Sequence, residues 1–325
     1  MKKKNVKKIV IAAIAVIVVL CAASLGGGWY MVDYALRPKA PEKDFRATDL
    51  RGSWEYMFHK YPFLEQWTDS LRQAEALRDT FITAPDGVRL HALYVTSPDS
   101  TARTAVIVHG YTDNAVRMMM IGYLYHHDLH YNILLPDLRY AGMSGGNSIQ
   151  MGWKDRLDVI RWMDVANSRF GGNTQMVVHG ISMGAATTMM VSGEKMPPYV
   201  KCFVEDCGYT SVRDQFTKEL KEQFHLPPFP ILDAANLICQ LRYGWNFTEA
   251  SALEQVKKCR LPMFFIHGDR DDYVPTWMVY QLFWVKPNPK QLWVVPGSAH
   301  AMSYHDHRKE YTEKVKEFTG QYIKD

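Results

Sequence analysis

The chain has 325 residues, 47% hydrophobic and 13% aromatic, enough for one large domain with its own core plus attachments. The formal charge is +4, yet Lys2, Lys3, Lys4, Lys7 and Lys8 supply five positive charges before any acid appears, which leaves −1 for the remainder. That balance implies no basic surface for nucleic acid.

Residues 9 to 32 carry no charge and as a helix would extend about 36 Å, enough to span a bilayer. The preceding lysines predict a cytoplasmic N-terminus, and Trp29, Tyr30 and Tyr34 suit the outer interfacial belt. Two other readings compete. One is a signal peptide cut before Leu25, for which the apolar run is long; the other is a lipoprotein at Cys21, for which Leu20 is large. All three export the rest of the chain, and Cys202, Cys207, Cys239 and Cys259 then sit where disulfides can form. Without a framework spacing, they read as buried free thiols.

Residues 33 to 78 form a juxtamembrane segment, charged and aromatic, with Trp54, Tyr56, Phe58, Tyr61 and Trp67 spaced for short amphipathic helices broken at Pro62. The main domain, 79 to 325, opens with two strands flanking the turn Pro85-Asp86-Gly87. Strands are then predicted near 104–109, 131–135, 174–179, 200–205, 262–267 and 291–295, alternating with helices. Alternation of this kind predicts a mostly parallel eight-stranded sheet with helices on both faces.

Between two of these strands, 209 to 260 is too long for a single crossover. Ser211, Asp233 and Thr248 are candidate N-caps there, and Pro227-Pro228-Phe229-Pro230 is a breaker. Two or three short helices would form a lid, with Phe229 and Trp245 expected on the pocket wall. Met118-Met119-Met120 follows a strand and reads as helix core that would also reach the pocket. His126 and His130 lie four apart on a predicted helix, but no third ligand is evident, so a solvated face is expected rather than a metal site.

Five motifs stand at predicted strand ends. His109-Gly110-Tyr111-Thr112 follows the first parallel strand, and Pro136-Asp137-Leu138-Arg139-Tyr140-Ala141-Gly142-Met143-Ser144-Gly145 the next. Gly180-Ile181-Ser182-Met183-Gly184 follows an apolar run and opens a helix, a strand-turn-helix that lifts a serine hydroxyl clear of the sheet. His267-Gly268-Asp269-Arg270-Asp271-Asp272-Tyr273-Val274-Pro275 offers an acid in a loop, and Pro296-Gly297-Ser298-Ala299-His300 a histidine.

In the order Ser182, Asp271, His300, with the elements around them, residues from about 80 to 323 resemble the α/β-hydrolase superfamily. Closer still, the chain is similar to bacterial membrane-anchored serine hydrolases of the serine-aminopeptidase-like or lipase-like group. The resemblance implies a catalytic triad of Ser182, Asp271 and His300, with the backbone N–H groups of Tyr111 and Met183 as oxyanion hole. It implies no cofactor and no metal. Asp271 fits the H-G-x-x-D-x-x-V-P pattern, whereas Asp269 and Asp272 fall on variable positions, and Asp206, ending the preceding strand, is the competing acid. Tyr140 departs from the D-x-R-G-x-G-x-S pattern, where glycine is usual. The expected activity is hydrolysis of an ester, with peptide cleavage and acyl transfer as alternatives on the same triad. A silent hydrolase fold used as a binding surface is the remaining alternative. The expected substrate is a small-molecule or lipid-like acyl compound, and the sequence leaves the oligomeric state open.

Overall fold

The structure, a computed structural model, describes residues 3–38 and 50–324. Lys2 and the stretch 39–49 of the expected juxtamembrane segment lie outside the described residues. Eight strands build one sheet: β1 (Arg78–Thr83), β2 (Arg89–Val95), β3 (Arg103–Val108), β4 (Asn132–Pro136), β5 (Gln175–Ile181), β6 (Val200–Asp206), β7 (Met263–Gly268) and β8 (Lys290–Val295). Their spatial order is β1-β2-β4-β3-β5-β6-β7-β8; the β1/β2 and β2/β4 pairs are antiparallel and the rest parallel. Adjacent residues of a central strand face opposite layers, so Ala105 and Ile107 join one apolar cluster while Val106 and Val108 join the other. Because both faces are covered, the central strands are buried along nearly their whole length and mostly apolar rather than alternating.

The helices are α1 (Lys3–Leu36), α2 (Leu50–Lys60), α3 (Phe63–Gln73), α4 (Met119–Tyr123), α5 (Asp155–Arg169), α6 (Met183–Ser192), α7 (Val212–Phe224), α8 (Ile231–Tyr243), α9 (Ala252–Val256), α10 (Trp277–Val285), α11 (Ser303–Asp306) and α12 (Arg308–Tyr322). One face of the sheet carries α2, α3, α4 and α12. The other carries α5, α6, α9 and α10, with α7 and α8 above its edge. Pro62 separates α2 from α3, and the two pack on the segment 115–123, α2 on residues 115–118 and α3 on α4, over that face of the sheet.

Three helices, α7 to α9, occupy the insertion. Ser211 caps α7, its Oγ accepting from the Asp214 N–H at 3.0 Å. The other two expected caps are corrected. Pro230 precedes α8, where a fixed φ starts the helix without a side-chain cap, and Asp233 sits inside the first turn paired with Arg213 at 2.9 Å. Ser251, not Thr248, caps α9, accepting from the Glu254 N–H at 3.2 Å.

One continuous helix, α1, runs past residue 32 to Leu36. Residues 7 to 23 of it are exposed, and its last turns pack on α8. Gly28 permits the approach: a Cβ there would lie 2.7 Å from the Ala235 nitrogen. Beyond it, Arg242 pairs with Asp33 at 2.9 Å, Tyr34 donates to Gln223 at 2.8 Å, and the Ile149 N–H donates to the Leu36 carbonyl at 2.8 Å.

Candidate active site

Ser182 stands between β5 and α6 with φ 58° and ψ −121°, a conformation that L residues adopt at a cost of roughly 1 to 3 kcal/mol. Its flanking glycines are steric requirements: a Cβ at Gly180 would overlap the Gly184 carbonyl, and one at Gly184 the Val108 and His109 carbonyls. The Ser182 N–H donates to the Asp206 carbonyl at 2.8 Å, tying the turn to the end of β6. Thr112, Cys207 and Ala301 around it also have positive φ, at 51°, 54° and 56°.

The structure brings Ser182, His300 and Asp271 together. His300 Nε2 lies 2.8 Å from Ser182 Oγ, and its Nδ1 lies 2.7 Å from Asp271 Oδ2. The other Asp271 oxygen accepts from the Tyr273 and Val274 N–H groups at 3.1 and 2.8 Å. Burial opposes ionisation of this carboxyl, but hydrogen bonds from His267 and His300 prevail and lower its pKa to about 2. It is therefore a fixed negative charge beside the imidazole.

Asp206 turns elsewhere, accepting from Ser303 Oγ at 3.2 Å and Tyr311 OH at 3.1 Å; burial raises its pKa to about 6 against the pull of its neighbours. Asp269 accepts from the Gly297 N–H at 2.6 Å, and Asp272 is exposed.

Tyr111 and Met183 flank the serine, and neither amide N–H has a hydrogen-bond acceptor among the described residues. The loop bearing Tyr111 is braced from below. His109 donates from Nδ1 to the Gly110 carbonyl at 2.8 Å and accepts at Nε2 from the Leu138 N–H at 2.9 Å, and burial keeps its ring neutral. Asp137 accepts from the Ala115 and Met143 N–H groups at 2.7 and 2.8 Å and from His91, whose far nitrogen meets Asp79. Tyr140 has φ 65°, which explains why glycine is usual at that position.

A cavity of about 810 Å³ opens over Ser182. Its walls are Tyr111, Met183, Tyr209 and Tyr273 from the main domain, Phe216, Leu220 and Phe224 from α7, and Ile231, Leu232 and Ala235 from α8. The fourth wall is the end of α1, with Tyr30, Met31 and Tyr34, and Arg37 just beyond it. In the sequence Tyr30 and Met31 belong to the expected anchor and Tyr34 and Arg37 to the expected juxtamembrane segment, and neither expectation places them on the pocket; Asp33 and Arg37, four apart behind an apolar helix, are the available signal. Two expected wall residues are corrected. Phe229 is 74% exposed on the α7–α8 connection, and Trp245 is buried against Phe247. Met118, Met119 and Met120 lie in the opposite apolar cluster. His126 is buried beside Trp67 rather than solvated, while His130 is exposed near Asp99.

Among the described residues, Cys207, Asp271 and His300 are the one group of three side chains close enough to share a metal ion. Burial raises the Cys207 thiol well above its ordinary pKa, so it is no thiolate, and the other two are engaged with each other. The five cysteines are free, Cys21 exposed and the other four buried.

Residues 145–325, more than half of the chain, match the prolyl oligopeptidase family (Peptidase_S9). The chain belongs to that family. It is also similar to the uncharacterized protein YqkD of Bacillus subtilis, 31% identical over 225 residues that cover 69% of this chain and 73% of YqkD. YfhR of Escherichia coli K12 is 24% identical over 246 residues, covering 73% and 78%. Among solved structures, the Pyrococcus furiosus esterase Pf2001 superposes with a TM-score of 0.60 at 23% identity, covering 76% of this chain and 93% of the esterase. Pyrococcus horikoshii acylaminoacyl peptidase gives 0.57 at 18%, covering 77% of this chain and 42% of the peptidase. The chain is an enzyme of the α/β-hydrolase superfamily with a serine-hydrolase type of activity.

Proposed function

We propose that the enzyme cleaves carboxylic esters through an acyl-enzyme on Ser182, tethered to a membrane by α1 with its catalytic domain outside the cytoplasm. The observation that carries this reading is the unbroken line of hydrogen bonds from Asp271 through His300 to Ser182. Ser182 Oγ attacks the carbonyl carbon while His300 Nε2 takes its proton, and Asp271 holds the tautomer and offsets the imidazolium charge. The Tyr111 and Met183 N–H groups, which have no acceptor among the described residues, receive the oxyanion. His300 then protonates the leaving group, and water repeats the cycle to release the acid. An apolar, aromatic pocket suits an acyl group, and an alkoxide leaves more readily than an amine.

Amide cleavage is the second reading, favoured by the peptidase family that the chain matches. Chain organisation follows the same reading: anchor 1–32, juxtamembrane segment 33–78, and hydrolase domain 79–325 with its lid at 209–260. Residues 9–23 are an apolar helix left exposed by the described residues, as expected of a span in lipid. Turnover of p-nitrophenyl esters from C2 to C16 beside aminoacyl amides tests the proposal. Ester turnover lost in Ser182→Ala is the expected result, and amide turnover exceeding ester turnover would overturn the ester assignment.

A further inference from the structure

We propose that α1 and α8 form a membrane-level mouth through which the acyl chain of a bilayer-resident amphiphile, a long-chain ester or amide, passes directly to Ser182. The inference rests on the serine chemistry and the membrane span proposed above.

Its starting point is depth. A hydrocarbon layer of about 30 Å accommodates roughly 20 helical residues, so a span beginning at Ile9, after Lys7 and Lys8, leaves the layer near Gly28. There the helix meets the lid, with Gly28 against Ala234 and Ala235. The two ends of α8 show how it lies. Ile231 adjoins Gly27, while Arg242 stacks over Trp29 with 4.4 Å to the ring centroid and pairs with Asp33. From Ile231 to Arg242, α8 advances about 16 Å, but its contacts on α1 climb only from Gly27 to Asp33, about 9 Å at most. The lid helix thus crosses α1 obliquely, at the level where hydrocarbon gives way to headgroups.

Its outward side fits that level. Leu237 and Leu241, one turn apart, are 51% and 76% exposed, and Phe229 projects just ahead of the helix. Trp29 and Tyr30 are exposed on α1 at the same height, as belt residues are. Large exposed apolar side chains clustered around a pocket need a covering phase, and the span that enters the bilayer one turn away supplies it. The cavity completes the route, since Tyr30 and Ile231 line its membrane end and Ser182 its other end. An acyl chain can therefore move from lipid to the serine along an apolar wall, while Arg37, Asp33 and Gln223 remain at the rim for a polar head.

The test uses the full chain reconstituted in vesicles of phosphatidylcholine and phosphatidylglycerol. Hydrolysis of 4-methylumbelliferyl oleate dissolved in the bilayer is compared with that of water-soluble p-nitrophenyl acetate. The double variant Leu237→Glu/Leu241→Glu should lose about tenfold or more on the oleate and stay within about twofold on the acetate, since neither leucine lines the cavity. Unchanged oleate turnover overturns the proposal. Should both activities fall together, a nitroxide on Leu241→Cys, in a Cys21→Ser background that retains acetate turnover, decides. Relaxation by lipid-soluble oxygen supports the mouth, and relaxation by an aqueous nickel chelate overturns it. Wild-type enzyme that turns over acetate but not oleate loses only the membrane route; one that neither turns over acetate nor reacts with a fluorophosphonate loses the serine chemistry itself.

Discussion

His300 Nδ1 lies 2.7 Å from Asp271 Oδ2, while Asp206, the other acid near this ring, directs its two oxygens to Ser303 and Tyr311. Two buried acids thus stand near one histidine, and only one is hydrogen-bonded to it. Asp271→Asn keeps the shape but removes the charge, so kcat on an activated ester should fall by about 10² to 10⁴ at neutral pH. Asp206→Asn, Asp269→Asn and Asp272→Asn should each cost less than about tenfold. A steady-state comparison of the four variants checks this, and a larger loss at Asp206 would move the acid to β6.

The same carboxylate ties stability to pH. Its pKa is about 2 when folded, against 3.8 for the unperturbed group, so the folded state binds fewer protons. The contribution, about 2 kcal/mol, is fully present above the unfolded value and disappears as pH falls from about 4 to 2. Urea unfolding at pH 5 and pH 2 should show wild type losing about 2 kcal/mol more than Asp271→Asn over that interval.

Two glycines should respond with opposite sign. A Cβ at Gly184 would overlap the Val108 carbonyl beneath the Ser182 turn, so Gly184→Ala should cost about 3 kcal/mol or more, or prevent folding. Gly320, on the open side of α12 with nothing within 4 Å, should gain about 0.5 to 1 kcal/mol on replacement by alanine. Denaturant midpoints of the two variants provide the check.

Phe224 lines the cavity and meets Tyr34 of α1 edge-on at 5.3 Å, whereas Phe229 points away. In detergent solution, Phe224→Ala should lower kcat/KM on an octanoate ester about tenfold relative to acetate. Phe229→Ala should leave that ratio within about twofold. An equal loss on both esters for Phe224→Ala would mark a stability effect.

Most of the sheet is legible in the sequence because strands buried on both faces are apolar runs, and the five motif segments follow directly from their ends. The elements around Ser182 are legible for the same reason, since a strand-turn-helix needs Gly180 and Gly184 whatever the substrate. What hydropathy does not reveal is which side of an apolar helix finds a partner. Residues 9–32 read as a uniform span, yet Gly28 packs on the lid and the next turns wall the pocket. Aromatic content likewise does not separate Phe224 in the cavity from Phe229 outside it or Trp245 beneath it. The starts of α8 and α9 depart from the expected caps Asp233 and Thr248 because Pro230, with its restricted φ, starts one helix and Ser251, three residues beyond Thr248, starts the other.

The central claim is that Ser182 Oγ is the nucleophile, and covalent capture tests it most directly. Full-length enzyme treated with diisopropyl fluorophosphate at neutral pH should gain one diisopropylphosphoryl group, located on Ser182 by peptide mapping, with loss of ester turnover in parallel. Ser182→Ala should gain none. A folded Ser182→Ala variant that is still labelled and still turns over, or a modification mapped to another residue, would contradict the account.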